Sequence, residues 1–170
     1  MAKKLWQPSK ERRTQSNMYR FMNFINKRHG RDFEEYEPFH RWSIENIPDF
    51  WAARWGFAGI IASTPYSQVV DDLNKMPGAR WFIDARLNFA ENLLRHRDDQ
   101  IALTFKGEAR DSVRMTYRQL YSEVARVAIS LKEAGVLVGD RVVGFMPNMP
   151  QSIIAMLAAA SIGTTWSSCS

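Results

Sequence analysis

Thr116–Ser170 reads TYRQLYSEVARVAISLKEAGVLVGDRVVGFMPNMPQSIIAMLAAASIGTTWSSCS, and this stretch decides the fold. Thr116 is a good helix N-cap, and Gln119 three residues on completes a capping box. Leu120, Val124, Val127, Ala128 and Leu131 then fall at helical spacing. Gly135 stops the helix, because a residue without a Cβ takes the left-handed conformation at the C′ position. Gly139–Asp140 makes a turn, and Arg141–Met146 (RVVGFM) is a short apolar, β-branched run typical of a buried strand. Pro147–Asn148 ends it. Asn148 can cap a second helix running through Ile153, Ile154, Met156 and Leu157 to Ile162. Gly163 closes that helix, and Thr164–Cys169 reads as the next strand. Two strands joined by such a helix form a βαβ unit with a right-handed crossover. The fold class is therefore α/β, with a parallel sheet at its centre.

Upstream of this stretch, Gln100–Lys106 alternates enough for a strand, Gly107–Ser112 is a polar turn, and Val113–Met115 pairs back as a hairpin. Asn88 with Glu91 is another capping signal, leading into Phe89, Leu93 and Leu94. Composition changes near Asp98–Gln100: before it the chain is aromatic and loop-rich, after it regular α/β. Residues 57–78 read as loop, with Pro65, Pro77 and Gly78 as breakers. Ile44, Ile47, Phe50, Trp51 and Trp55 sit at spacings of three and four in a helix starting near Ser43 and closed by Gly56. Pro48 fits only near the first turn of that helix. Residues 31–42 show no clear periodicity. Ser9 caps a helix that runs to Gly30, with Arg13, Arg20 and Lys27 on one stripe and Met18, Phe21, Met22 and Ile25 on another. Residues 1–10 read as irregular, with Trp6 and Pro8 as an anchor. The division is an N-terminal helical, aromatic arm over 1–98 and an α/β portion over 99–170.

Within 170 residues that are 45% hydrophobic, with six Trp and ten Phe, there is material for a core. The single Cys169 excludes an intramolecular disulfide framework and favours a reducing compartment. MAKKLWQPSK lacks the apolar core of a signal peptide, and no run approaches the roughly 18 apolar residues of a membrane span. A cytoplasmic protein is expected. The net charge of +5 is uneven. Nine basic residues precede Asp32 (Lys3, Lys4, Lys10, Arg12, Arg13, Arg20, Lys27, Arg28 and Arg31), against Glu11 alone. The heptad spacing of Arg13, Arg20 and Lys27 points to a solvated helix face rather than a nucleic-acid surface.

Signals for chemistry are sparse. No Gly-x-x-x-x-Gly-Lys-Ser/Thr and no Gly-x-Gly-x-x-Gly occurs. His29, His40 and His96 are scattered beside charged residues, which fits surface histidines and no metal site. Cys169 has no basic neighbour to lower its pKa and reads as a small core residue. Trp42, Trp51, Trp55 and Trp81 read as surfaces packing the arm onto a larger body rather than as base-stacking platforms. Ser167, Ser168 and Ser170 lie at the carboxyl end of a strand, where open α/β sheets bind ligands. A parallel sheet of this kind needs further strands, so the sheet is expected to continue beyond Ser170.

Four stretches carry a family resemblance. Trp81–Phe82 with Leu87–Arg95 (LNFAENLLR) is similar to a "WF…LNYAENLLR" segment, and Met115–Leu120 (MTYRQL) to a "TYxEL" motif. Gly135–Asn148 is similar to "GVxxGDRVxxxxPN", and Met156–Ser170 (MLAAASIGTTWSSCS) to "MLAxxSIGAxWSSCSPDFG". Together they resemble the N-terminal portion of the adenylate-forming acyl-CoA synthetase superfamily. Relatives using acetate or propionate carry "HSVVFGGF" in the last block, so Trp166–Ser170 points to the acetoacetyl branch. Gln151 replaces a usual Glu and Thr164 a usual Ala.

The resemblance implies ATP, Mg²⁺ and CoA as ligands, and acetoacetate or a similar short-chain acid as substrate. It implies an acyl-adenylate made with release of pyrophosphate, then displacement of AMP by the CoA thiolate. It places the phosphate loop, the adenine- and ribose-binding segments and the catalytic Lys beyond the equivalent of Ser170. The expectation is therefore no catalytic residue and no metal ligand in this chain, and no ligase activity on its own. Only Ser168, Cys169 and Ser170 match a segment that approaches CoA. Expected partners are the remainder of the large domain, the C-terminal domain and, through an exposed sheet edge, another chain; no nucleic acid and no membrane are expected. The alternatives are a non-catalytic interaction module of the same ancestry, or an acetate- or propionate-using synthetase.

Overall fold

The computed structural model describes residues 5–108 and 112–170, and the chain divides into two compact units. Lys3, Lys4 and the middle of the expected turn at 107–112 lie outside the described residues. The first unit comprises residues up to Ile60 together with Pro65–Ala85. It opens with two helices, α1 (Lys10–Thr14) and α2 (Asn17–His29), where one was expected from Ser9. Ser9 does cap: its Oγ accepts from the Arg12 N–H at 3.2 Å. The break comes at Ser16, whose hydroxyl donates to Arg13 O at 2.7 Å and accepts from the Tyr19 N–H at 3.1 Å. A serine that can bond neighbouring backbone competes with the helical ladder and here starts a new helix. Gly30, at φ 61°, ends α2 as expected.

Two further helices follow, α3 (Tyr36–Glu45) and α4 (Ile47–Ala58). The aperiodic stretch 31–42 is thus partly helical. Only Phe39 and Trp42 of α3 are buried, too few to make a readable stripe. Pro48 lies in the first turn of α4, where its missing N–H costs nothing. Gly56 stays inside the helix, which closes instead on Gly59 at φ 58°. The stretch 57–78 read as loop begins in the end of α4 and contains β1 (Gln68–Val70), which pairs antiparallel with β2 (Trp81–Ile83) beyond it, Val70 opposite Trp81.

The core of this unit is aromatic. Phe21, Met22, Ile25, Phe39, Trp42 and Ala53 are buried together, with Phe24, Phe33, Phe50 and Phe57 packed around them. Met18, read as part of the same stripe, is 49% exposed. The tryptophans meet other rings within the unit, while Trp51 and Trp81 stay 41% and 42% exposed. Trp42 is buried, Trp51 meets Trp81 edge-on at 6.1 Å, and Trp55, Tyr66 and Phe82 form a mutually contacting trio of rings.

Asp71 organises the turn between the ribbon strands. Its carboxylate accepts from Lys75 Nζ at 2.8 Å, from the backbone N–H groups of Arg80 and Asp72, and from Arg80 Nε at 3.4 Å. The Lys75 ammonium first, and then these other donors, hold the Asp71 carboxyl well below the usual carboxylate range. A depressed folded-state pKa makes the contribution complete at neutral pH. It fades as pH falls below the ordinary value of 3.8 and is lost only as pH passes the lower folded value. Asp71→Asn is therefore expected to be less stable than the native chain at neutral pH, with the gap closing as acid is added. Thermal melts of both proteins along a pH series check this; a gap independent of pH would contradict it.

The second unit comprises Ile61–Thr64 and Arg86–Ser170. Its elements are α5 (Phe89–Leu93), β3 (Ile101–Phe105), β4 (Val113–Thr116), α6 (Tyr117–Glu133), β5 (Arg141–Phe145), α7 (Pro150–Ser161) and β6 (Thr165–Cys169). Ala90, Leu94, Leu120, Val124, Ile154, Leu157 and Ala158 from α5, its C-cap, α6 and α7 form its core. Strands β3 and β4 are the expected hairpin, with Phe105 opposite Val113 and Ile101 opposite Thr116. The capping box at the start of α6 is present in both directions: Thr116 Oγ1 accepts from the Gln119 N–H, and Gln119 Oε1 accepts from the Thr116 N–H. Asn88 caps α5 through the Glu91 N–H at 3.1 Å, and its amide donates to Ala160 O and Ser161 O at the end of α7. Asn148 does not cap α7. Met149 holds that position with no side-chain bond, and Pro150 begins the helix with its φ already suited to it.

Strands β5 and β6 lie parallel with α7 as their crossover, giving the βαβ unit. The fold is α/β: a helical, aromatic N-terminal part, then a hairpin and a βαβ unit. The expected buried strand at 141–146 is buried on neither side throughout. Gly144 is buried and Val142 half-buried, but Val143 is 69% and Phe145 84% exposed. By the alternation of a strand, Arg141, Val143 and Phe145 share the open face of β5, and Val142 and Gly144 the covered one.

Candidate functional site

The carboxyl ends of β5 and β6 form the site that strand order singles out. Parallel pairing sets Val142 beside Trp166, Gly144 beside Ser168 and Phe145 beside Cys169. The rung continues one step further, with the Met146 N–H donating to Cys169 O at 2.9 Å. Ser168, Cys169 and Ser170 therefore stand side by side with Phe145–Pro147 at one end of the sheet, and all three are exposed. Cys169 is a free, exposed thiol and not the small core residue expected.

One close approach of side chain to backbone links β6 to β5. The edge of the Trp166 ring comes close over Gly144. A Cβ built on Gly144 would fall 2.6 Å from Trp166 Cη2, 3.0 Å from Cζ2 and 3.3 Å from Met146 Cε. Only a residue without a side chain leaves room for the indole. Spacing along the sequence could not reveal this pair, because Gly144 and Trp166 meet only after the crossover has formed.

Beside the end of β5, a cleft opens between the hairpin and α7, lined by Thr104, Lys106, Asn148, Pro150 and Ile153 among others. The first turn of α7 carries no side-chain cap, and the Ser152 hydroxyl turns back to donate to Pro147 O at 2.7 Å. Lys106 was not singled out from sequence, and Asn148 only as a helix cap and the end of a family segment. Their proximity depends on hairpin-to-helix packing across some forty residues, which no local pattern encodes.

The histidines do not converge. His29 is half-buried against Trp42, ring centroids 5.1 Å apart, and its Nε2 has no hydrogen-bond partner, so it is not the surface residue expected. His40 stacks on Tyr36, and His96 meets Tyr117 edge-on. Among the described residues, no three His, Cys, Asp or Glu side chains are placed to hold a metal ion. The Asp99–Arg118 pair, at 2.9 and 3.3 Å, ties the start of β3 to α6. Arg118 holds the Asp99 carboxyl below its usual range, and Asp99 in turn raises Arg118. Both groups are largely exposed, so the pair is structural and weak. No helix among the described residues is long and apolar enough to cross a membrane.

Residues 36–93 match the family model described as acetyl-coenzyme A synthetase N-terminus, and residues 89–169 the model described as AMP-binding enzyme. The acetoacetyl-CoA synthetase of Danio rerio is 42% identical over 99% of this chain, and the acetoacetyl-coenzyme A synthetase of Rhizobium meliloti 43% identical over 98%. The structure of acetoacetyl-CoA synthetase from Streptomyces lividans superposes with a TM-score of 0.88 at 39% identity, over 99% of this chain and 26% of that one. The chain spans about a quarter of the length of the curated relatives it matches.

Proposed function

The chain belongs to the adenylate-forming acyl-CoA synthetase family, and from that premise we propose that it is the N-terminal part of an AMP-forming acetoacetate–CoA ligase. The observation that carries the reading is similarity along nearly the whole chain, in sequence and in fold, to synthetases of that name. The division proposed is an arm over residues 1–98 and the start of the AMP-binding large domain over 99–170.

The chemistry follows from the poor leaving group of a free carboxylate. Its oxygen attacks the α-phosphorus of ATP, pyrophosphate departs, and the acyl-adenylate then loses AMP to the CoA thiolate. Charge around the phosphates needs preorganised donors and a metal ion. The described residues offer no such donor loop and no converging metal ligands, so no step of phosphate chemistry is assigned to this chain. Its share is the platform. Ser168, Cys169 and Ser170 are the residues proposed to lie against CoA. Their exposure, and the open backbone groups of β6, suit a hydrogen-bonding surface for the nucleotide end of that ligand. The setting proposed is the cytoplasm.

Two measurements test this. The purified 170-residue chain is expected to release no pyrophosphate with acetoacetate and ATP; release would contradict the proposed division of labour. A relative truncated to remove its own matching quarter, mixed with this chain, is expected to regain acetoacetate- and CoA-dependent AMP formation. Recovery with acetate alone would move the reading to the acetate-using branch, and no recovery with a well-folded pair would favour an interaction module.

A further inference from the structure

A groove of about 600 Å³ lies along α1 and the start of α2. Sites for small organic ligands run from roughly 300 to 1,000 Å³. Residues between Trp6 and Tyr36 supply its whole lining, so both walls and the floor belong to the first unit. Its apolar part is Trp6, Pro8, Met18, Met22 and Tyr36. Met22 is buried beneath it, while Trp6 is 69% and Tyr36 55% exposed. Large apolar side chains held open around a hollow offer area for an apolar ligand body to cover. Charge is divided between the walls. Lys10, Arg12 and Arg13 come from α1, and Glu34 and Glu35 stand in the segment before α3. The contacts within the groove decide which sign is left over. Arg13 reaches Glu35 at 3.5 Å and cancels one charge of each kind. The Arg12 guanidinium lies 5.9 Å from the centroid of the Trp6 ring, which brings a cation to the apolar lining itself. Neither Lys10 nor Arg12 has a carboxylate within ion-pair distance among the described residues. Two cations thus face one remaining carboxylate, Glu34.

We propose that this groove binds an amphipathic carboxylate, with an unbranched aliphatic chain laid along Trp6, Met18 and Met22 and the head group at Arg12 and Lys10. Charge complementarity selects the occupant. A neutral chain leaves both cations without a partner, and an ammonium head meets two like charges before it reaches Glu34. A carboxylate pairs with the guanidinium through two parallel N–H···O bonds, the strongest polar contact open to Arg12. Glu34 then sets the orientation, because it repels the head toward α1. The apolar chain supplies affinity and the α1 cations supply the choice of head group. The groove belongs to the first unit and Ser168–Ser170 to the second, so the site is separate from the proposed CoA surface and does not rest on the ligase reading.

Isothermal titration calorimetry of the full 170-residue chain tests this with decanoate, kept below its micelle concentration. Decanoate is expected to bind saturably at one site. Decyltrimethylammonium, with the same chain and the opposite head, is expected to bind several-fold more weakly, and acetate, the head without the chain, not to saturate. Added salt is expected to weaken decanoate, because the head-group contact is exposed to screening. Arg12→Glu is expected to raise the decanoate dissociation constant several-fold and to narrow the gap to decyltrimethylammonium. Glu34→Gln is expected to leave decanoate binding as tight or tighter. Arg12 and Glu34 are both exposed, and circular dichroism confirms that the variants fold. Should a variant not fold, the comparison of the two head groups on the native chain decides alone. No saturable decanoate binding, equal binding of the two head groups, or a decanoate affinity indifferent to Arg12→Glu in a folded chain would overturn the proposal.

Discussion

Replacing Phe21 with alanine is expected to lower the stability of the N-terminal unit by about 3–5 kcal/mol, in the range for large aromatic truncations in cores. Phe21 is 5% exposed, and its ring centroid lies 4.9 Å from Phe57, 5.7 Å from Phe50, 5.9 Å from Phe39 and 6.5 Å from Phe24. Those rings come from three different helices, so no single helix can shift to fill the space. The Arg54 guanidinium also sits over the ring, 5.9 Å from its centroid. Removing the ring thus forfeits apolar burial, edge-to-face contacts worth about 0.5–1.5 kcal/mol each, and the cation's platform. Urea titration followed by near-ultraviolet circular dichroism reads the effect. A loss below about 1 kcal/mol would mean that the aromatic cluster is not the unit's core.

Gly144→Ala is expected to have the next largest effect, about 1–3 kcal/mol, the usual cost of overpacking. Alanine is the better strand residue in isolation, so propensity alone predicts a small gain. Contact decides the sign: the added methyl would sit 2.6 Å from the Trp166 ring, which must leave the surface of β5. The two positions are therefore coupled. In a Trp166→Ala background the same Gly144→Ala change is expected to cost close to nothing. A full double-mutant cycle measures that coupling. Additive effects of the two changes would sink the argument, because the ring would then not be what the glycine accommodates.

Helices and strands of the second unit were legible from residues 116–170 because local and tertiary demands agree there. The Thr116 box, the Leu120 stripe and the two apolar runs each specify the element that forms. The errors have separate causes. Ser16 splits a helix whose apolar stripe runs on, because a side-chain hydroxyl outbid one turn of backbone bonding. Residues 36–45 hid a helix because only two of its residues meet the core. Gly56 was taken for a terminator, yet a glycine ends a helix only where the left-handed conformation is used, and that is at Gly59.

The candidate site was legible in position and not in detail. Ser168–Ser170 follow from strand order alone, since parallel strands joined by a helix bring their carboxyl ends together. Cys169 was misjudged because burial was inferred from the company of apolar strands, and burial depends on what covers a face rather than on the strand itself. The Gly144–Trp166 fit and the closeness of Lys106 to Asn148 are products of packing between segments far apart in the chain.

The Asn88 amide carries a consequence for the order of assembly. Its hydrogen bonds reach carbonyls 72 and 73 residues further along. Ala90, wholly buried, belongs to a cluster completed by Ile154, Leu157 and Ala158. On the ribosome, the short helix after Asn88 emerges long before its seat on α7 has been translated. A five-residue helix is far below the length that holds itself together in water. Closure of this unit is thus non-local, and non-local contacts form late and slowly. The helices of the first unit are close neighbours in sequence and face no such wait. Synthesis from the N-terminus consequently delivers an aromatic arm that can set early, followed by an α/β unit whose closure waits for the end of α7.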